Sequence, residues 1–399
     1  VKNSGHSPAP GLFIKLLKLG GRSWWLSLVL WMAAIAPSFA STELEMRVAI
    51  EQDVPQVQVG SSTDAVLKDA SGRAIAQIPA GTALVAQAQG GSISISQWRG
   101  NAFWVEPSDE QGLVWINNAW YRGRTLVVPT TGGLTAVNYV DLEQYLYSVV
   151  GSEVFDNWHP EALKAQAVAA RTYALYQRQT SSNTVFDVGD TQRWQVYKGV
   201  IEESAPTIGA VQATRGQVVT FQGQIINAVF HSSAGGRTED VENVWSRPLP
   251  YLRGVPAYDE LAPEFRWNLM VTAEQARKIA PGIGNILSFA PERVAPSGRV
   301  ITMRVTGDRG SRVVSGADLR NAFNLRSTLF TVSPQLPSMA STRSVASAPT
   351  SFQITGGGFG HGLGMSQWGA QGLALRGMSY RDILRHYYTG TILSRIRVE

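Results

Sequence analysis

The sequence predicts an α+β protein, and three observations carry that reading. Short apolar runs separated by turn residues fill positions 45–140. Two segments with one apolar face at helical spacing follow, at 140–150 and 159–179. Helical patterns then recur only in groups, rather than after every strand. The expected architecture is a strand-rich N-terminal part with antiparallel sheets, followed by grouped helices around a cleft.

In chain order, residues 1–40 read as an address. Lys15, Lys18 and Arg22 precede the apolar run LSLVLWMAAIA at 26–36, and PSFA-ST puts Ser38 and Ala40 at the small positions before a cut. The run is shorter than the ~20 residues of a spanning helix, so it predicts export to the periplasm or cell-wall space. Membrane attachment would come only from an uncleaved N-terminal segment. Residues 41–138 form the strand-rich part, with MRVAIEQ, VQVGSS, NAFWVEPSDEQG and LTAVNYV among its runs. Residues 139–399 form the core. In VDLEQYLYSVV, Leu142, Tyr145, Leu146, Val149 and Val150 share one helix face, and Gly151 is the expected stop. HPEALKAQAVAARTYALYQRQ is a second helix. Pro160 and Glu161 suit its first turn, and Ala167, Ala170 and Ala174 give it a narrow side. Strands with some helix continue through 210–330, and the Ser/Pro/Ala-rich stretch at about 331–352 reads as a flexible insertion. MSQWGAQGLALRG and SYRDILRHYY are closing helices, the latter with Ser379 and Asp382 at capping-box spacing.

Charge and composition narrow the function. The net charge of +5 arises mainly in residues 1–40, which hold four bases and no acid, leaving 35 − 4 = 31 bases against 30 acids. A near-neutral remainder argues against a nucleic-acid partner. Cysteine is absent, which excludes thiolate nucleophiles and cysteine zinc sites. Twelve Trp and twelve Tyr supply flat faces that pack cores or stack on sugar rings.

GGGFGHGLGMSQWGAQG, 356–372, alternates glycine with Phe359, His361 and Leu363. Read as a strand, it has a bare face for close approach of a ligand or another backbone. It lacks the Gly-Lys-Ser/Thr of a phosphate loop and the spacing of a dinucleotide loop.

Three segments together resemble the SpoIID/LytB family: 140–175, 228–260 (AVFHSSAGGRTEDVENVWSRPLPYLRGVPAYDE) and 356–391, with TQRWQVYKG at 191–199 a weaker fourth. The resemblance implies a lytic transglycosylase acting on peptidoglycan glycan strands stripped of stem peptides, or an enhancer of a cell-wall amidase. The family's catalytic glutamate falls on Glu153, in VVGSE. Its apolar neighbours and the preceding helix end both disfavour the ionised form, as a general acid requires. The expected substrate contacts are Lys164, Arg171, Gln195, Tyr197, His231, Ser232, Ser233, His361, Gln367 and Trp368. Lys164 and Arg171 would bind a muramyl carboxylate or fix the cleft. Some relatives hold zinc through a histidine at His231 with nearby cysteines; without cysteine, no metal or cofactor is expected here. A hydrolase would instead need a second carboxylate, from Asp156, Asp187 or Asp190.

Overall fold

The computed structural model describes residues 44–245, 247–336 and 348–396. The leader reading at 1–40 lies outside them.

The strand-rich part forms two sheets over one core. The larger, seven-stranded sheet runs Val188–Gly189, Glu45–Val54, Gly133–Asp141, Arg124–Thr130, Phe103–Pro107, Ala65–Asp69, Ala74–Ile78. Every pairing in it is antiparallel except that of Val188–Gly189. The other sheet has six strands, from Ala119–Tyr121 to Trp98–Gly100. Alternation sets which face is inside: in Gln56–Ser61, Val57 and Val59 are buried while Gln56 and Gln58 face water.

The strand Gly133–Asp141 feeds α1 (Leu142–Glu153), whose first amides are capped by the Asp141 carboxylate, accepting from Glu143 and Gln144 N–H. Gly151 was the expected stop, but it lies inside α1. A β-carbon there would fall 1.8 Å from the Glu202 carbonyl oxygen, so glycine here answers a close contact and the helix runs on to Glu153. Next come α2 (Pro160–Thr180), with Pro160 in its first turn, and α3 (Ala205–Ala213). Ala167, Ala170 and Ala174 are fully buried, and α2 packs against both α1 and α3.

Residues 267–356 carry a separate hydrophobic core built on Val271, Phe289, Met303, Val305, Leu319, Phe352 and Ile354. Two three-stranded sheets enclose it, with α4 (Ala273–Ile279) and α5 (Gly316–Ala322). The flexible insertion expected at about 331–352 is corrected at both ends, because Phe330–Gln335 and Ser351–Gly356 are paired antiparallel strands. Phe352 and Ile354 alternate inward there, a pattern outweighed in the sequence by the Ser and Pro around it. Residues 337–347 lie outside the described ones.

The chain returns to the first core through α6 (Gln367–Leu375) and α7 (Tyr380–Tyr387), which pack on α2. Ser379 caps α7 as its spacing predicts. The last strand, Ile392–Arg395, pairs with Gln217–Phe221.

The helix group depends on a buried ion pair. Arg171 is wholly buried and its Nε and Nη2 donate to Glu143 at 2.9 and 2.6 Å, while the carbonyls of Val211 and Gln217 take further donors. Glu143→Gln leaves that charge uncompensated, and should cost ~3–5 kcal/mol in urea unfolding. Lys164→Met, breaking only the partly exposed pair with Glu161, should cost at most ~1 kcal/mol.

Candidate active site

A cleft of about 610 Å³ opens where the two cores face each other. Its first-core side carries Ser152, Glu153, Phe155, Trp158, Tyr173, residues 192–194, Val196, Phe230, His231, Ser232, Gln367 and Trp368. Across it stand Pro263, Glu264 and Arg320, with Phe359, Gly360 and His361 closing one end.

Glu153 is the last residue of α1 and is half-buried. Its Oε1 accepts the Val196 N–H at 3.0 Å, and its Oε2 accepts from Gln367 Nε2 at 3.1 Å. Burial pushes its pKa up; those two hydrogen bonds and the Lys198 charge pull the other way without cancelling it. Gln367 reaches the carboxyl because it opens α6, whose first turn is capped by the Ser366 hydroxyl accepting from Gly369 N–H. Beside them Trp158 and Trp368 pack edge to face with centroids 4.9 Å apart, and Phe155 is 61% exposed at the rim. These rings offer the flat apolar faces that sugar rings stack upon.

The two histidines meet at 5.1 Å between ring centroids. In His361, Nδ1 accepts the Leu363 N–H, so Nε2 carries the proton and donates to the Phe230 carbonyl at 3.0 Å. In His231, Nδ1 faces the Leu363 carbonyl at 3.0 Å and must be the protonated nitrogen, leaving Nε2 as a buried acceptor with no partner. Burial, then nearby charge including Arg299, holds both rings neutral, His361 down to about 4 and His231 well below its ordinary range. Among the described residues no group of three or more His, Cys, Asp or Glu is placed to hold a metal. The sequence holds no cysteine, and among the described residues no carboxylate groups with His231 as a metal ligand, so the residues described do not fit a zinc site of the histidine–cysteine kind.

Behind the histidines sits a buried carboxylate. Asp259 accepts from the Ser233 hydroxyl at 2.7 Å, from the backbone N–H groups of Ala234, Gly235 and Gly236, and from the Ser366 hydroxyl at 3.3 Å. It ties the turn after His231 to the cap of α6.

Of the residues selected from the sequence, Glu153, His231, Ser232, His361, Gln367 and Trp368 line the cleft. Five other expected contacts do not. Arg171 is taken up by Glu143. Lys164 pairs with Glu161 at 2.8 Å, and that carboxylate in turn accepts the Tyr380 N–H that begins α7. Gln195 is fully buried between the Tyr145 hydroxyl and the Ala170 carbonyl. Tyr197 is buried against Tyr121 and Tyr145 and donates to Asn138. Ser233 belongs to the Asp259 turn.

Of the alternative second carboxylates, Asp187 is buried in an ion pair with Arg47, and neither it nor Asp190 lines the cleft. Asp156, beside Glu153, lines a smaller neighbouring hollow.

The glycine segment is not a strand. Gly358, Gly360, Gly362 and Gly364 all take positive φ, between 65° and 117°, so their alternation is a run of left-handed turns. The bare positions approach protein, not ligand: a β-carbon on Gly360 would lie 2.6 Å from His231 Cβ, and one on Gly362 2.3 Å from the Arg299 guanidinium.

Phe155, Trp158, Trp194, Trp245, Glu264 and Arg320 complete the cleft and were not selected from the sequence. Phe155 and Trp158 follow VVGSE directly, a usable signal. For Arg320, in a separate core, the sequence carries none.

An α+β molecule with one clasped acid at the floor of an aromatic cleft is the class these features define. The chain belongs to the SpoIID/LytB family. The family model described as Stage II sporulation protein matches residues 130–221, and a domain family of unknown function matches 242–364. Stage II sporulation protein D of Bacillus subtilis (strain 168) is 32% identical over 280 residues, covering 65% of this chain and 76% of that protein. An uncharacterized protein of Brachyspira hyodysenteriae is 33% identical over 277 residues, covering 69% and 72%. The Amidase enhancer of Bacillus subtilis (strain 168) is 31% identical over 291 residues, covering 62% of this chain and 40% of that protein.

The raised pKa of Glu153 has a stability consequence. Between glutamate's ordinary value and the raised one, the folded chain holds a proton that the unfolded chain releases, so stability falls as pH rises through that window. Glu153→Gln should therefore raise the thermal unfolding midpoint at neutral pH. The gain should vanish once pH drops below the ordinary glutamate range, near ~4.3.

Proposed function

We propose that this protein is an exported lytic transglycosylase that cleaves the bond between N-acetylmuramic acid and N-acetylglucosamine in peptide-free peptidoglycan strands, leaving 1,6-anhydro ends. The observation that carries the reading is Glu153: a half-buried carboxyl with a raised pKa, lining the cleft and fixed by Val196 and Gln367.

The chemistry needs one such group. The protonated carboxyl gives its hydrogen to the bridging oxygen as the bond from the muramyl anomeric carbon breaks. The resulting carboxylate then takes the proton of the muramyl 6-hydroxyl as that oxygen closes on the same carbon. No water is consumed, and no second carboxylate has to position one, in contrast to ordinary glycosidases. The other acid on the cleft wall, Glu264, faces Arg326 at 3.7 Å. Trp158 and Trp368 supply the apolar walls that keep Glu153 protonated and give sugar rings a stacking surface.

A second reading is favoured by one finding, the similarity to the Amidase enhancer of Bacillus subtilis: a glycan-binding protein that stimulates a cell-wall amidase without cutting. Mass spectrometry of peptide-free strands after incubation separates the two. Anhydro-ended fragments are expected, with Glu153→Gln lowering their rate by about 10²–10⁴-fold. Activity should hold at acidic pH and fall as pH rises through the raised Glu153 pKa, since the step begins from the protonated form. Bound but uncut strands, with amidase stimulation intact in Glu153→Gln, would establish the second reading instead.

A further inference from the structure

Lys164 and Arg171, the cations expected to meet an acidic substrate group, are occupied elsewhere, yet two other guanidinium groups line the cleft, Arg193, exposed over the Trp194 ring, and Arg320, which is partly desolvated. Arg320, in the last turn of α5, lines the wall contributed by the second core. It is half-buried, and its Nε donates to the Leu325 carbonyl at 3.3 Å. Among the described residues no carboxylate lies within ion-pair distance of it.

Its surroundings hold a second guanidinium, Arg299, and the carboxylates that favour the Arg299 charge, Glu239 and Asp259, make no ion pair with Arg320. His231 and His361 are neutral, and both feel the Arg320 charge. Arg299, only 2% exposed, stands close enough for the two guanidinium charges to oppose each other. Glu264, which also lines the cleft, faces Arg326 at 3.7 Å. Burial lowers the Arg320 pKa with no anion opposing it. A partly desolvated charge without a counter-charge is costly, and chains usually resolve it with a carboxylate, as Glu143 does for Arg171.

The substrate of the proposed reaction carries the missing anion. Once its stem peptide is gone, a muramyl residue ends in a free lactyl carboxylate. With the peptide attached the same carbon is a neutral amide, and N-acetylglucosamine has no acid at all. We propose that Arg320 is the subsite for the free lactyl carboxylate of a muramyl residue in the cleft, and so selects peptide-free strands. This inference rests on the glycan reading of the cleft. A guanidinium matches a carboxylate with paired N–H donors, and such charge-assisted bonds correspond to affinity differences on the order of 10- to 100-fold.

Calorimetric titration tests it in the full chain carrying Glu153→Gln, so that sugar is bound but not consumed. Three ligands of equal length are compared: a peptide-free muramyl tetrasaccharide, the same sugar with its carboxylates converted to methylamides, and chitotetraose. The free acid should bind roughly 10- to 100-fold more tightly than the amide. Arg320→Gln should reduce that ratio to near one while leaving chitotetraose affinity unchanged, and Arg320→Lys should retain part of it. Arg381→Gln, removing an exposed cation that lies outside the cleft over the Tyr380 ring, should keep the full ratio. Equal binding of acid and amide by the chain with Arg320 intact overturns the proposal, whatever the folding of its variants. So does a ratio that survives Arg320→Gln, or no binding of any of the three. The reaction itself is judged by anhydro ends with Glu153 present. A chain that discriminates as expected but makes no such ends refutes the reaction and leaves the subsite standing.

Discussion

The cleft exists because Asp259 is buried and must be satisfied. A fully buried carboxylate is tolerated only when donors replace the water it has lost. Two hydroxyls and three backbone amides do so, and they come from places far apart in the chain. Gathering them fixes the turn at 233–236 against Ser366, the cap of α6. Gln367, the next residue, then has only one helix turn in which to place its amide, and that amide meets Glu153. His231 and Ser232, immediately before the turn, are set at the cleft wall by the same constraint. The parallel pairing of Phe230–His231 with Met365–Ser366 seals the junction. One acid that never faces the cleft thus aligns three segments that do.

The sequence disclosed the local physics well and the tertiary parity poorly. Helix starts were legible where capping chemistry is local: Pro160 and Ser379 each sit where their side chains predict. Glu153 was legible through its motif and its apolar neighbours. In 192–198 the right segment was found and the wrong side taken. Gln195 and Tyr197 turn inward, while Trp194 and Val196 line the cleft. One residue of offset exchanges the two faces, and nothing in a short polar-aromatic run says which face meets the core. Arg171 failed for a related reason: a cation on a helix carries no mark of whether its partner is a ligand or a glutamate 28 residues earlier.

The glycine segment shows where a correct observation can support the wrong geometry. Alternate glycines fit a strand with one bare face, and they also fit a chain that needs positive φ at every second residue. Only the neighbours decide. His231 Cβ and the Arg299 guanidinium occupy the space a side chain would need, so the bare positions serve packing of the cleft wall. The second core was read as strands with some helix, but its strands, six to nine residues long, carry no mark that they enclose a core of their own. Its contribution to the site, Arg320, follows from placement rather than motif.

Opposite electrostatic demands meet across one cleft, and the fold separates them by distance and burial. On the α1 side an acid must keep its proton, which requires that the donors around it be few. Two hydrogen bonds and one cation pull the Glu153 pKa down, and that cation, Lys198, is also within 3.4 Å of Glu202. A carboxylate held by three backbone amides would ionise far more readily. Arg320 stands across the cleft, and burial, with the Arg299 and Arg320 charges after it, keeps His231 and His361 neutral. The proposed proton donor and the proposed anion subsite therefore occupy different walls. Were Arg320 moved next to Glu153, its charge would favour the carboxylate and remove the acid form that the proposed bond cleavage starts from.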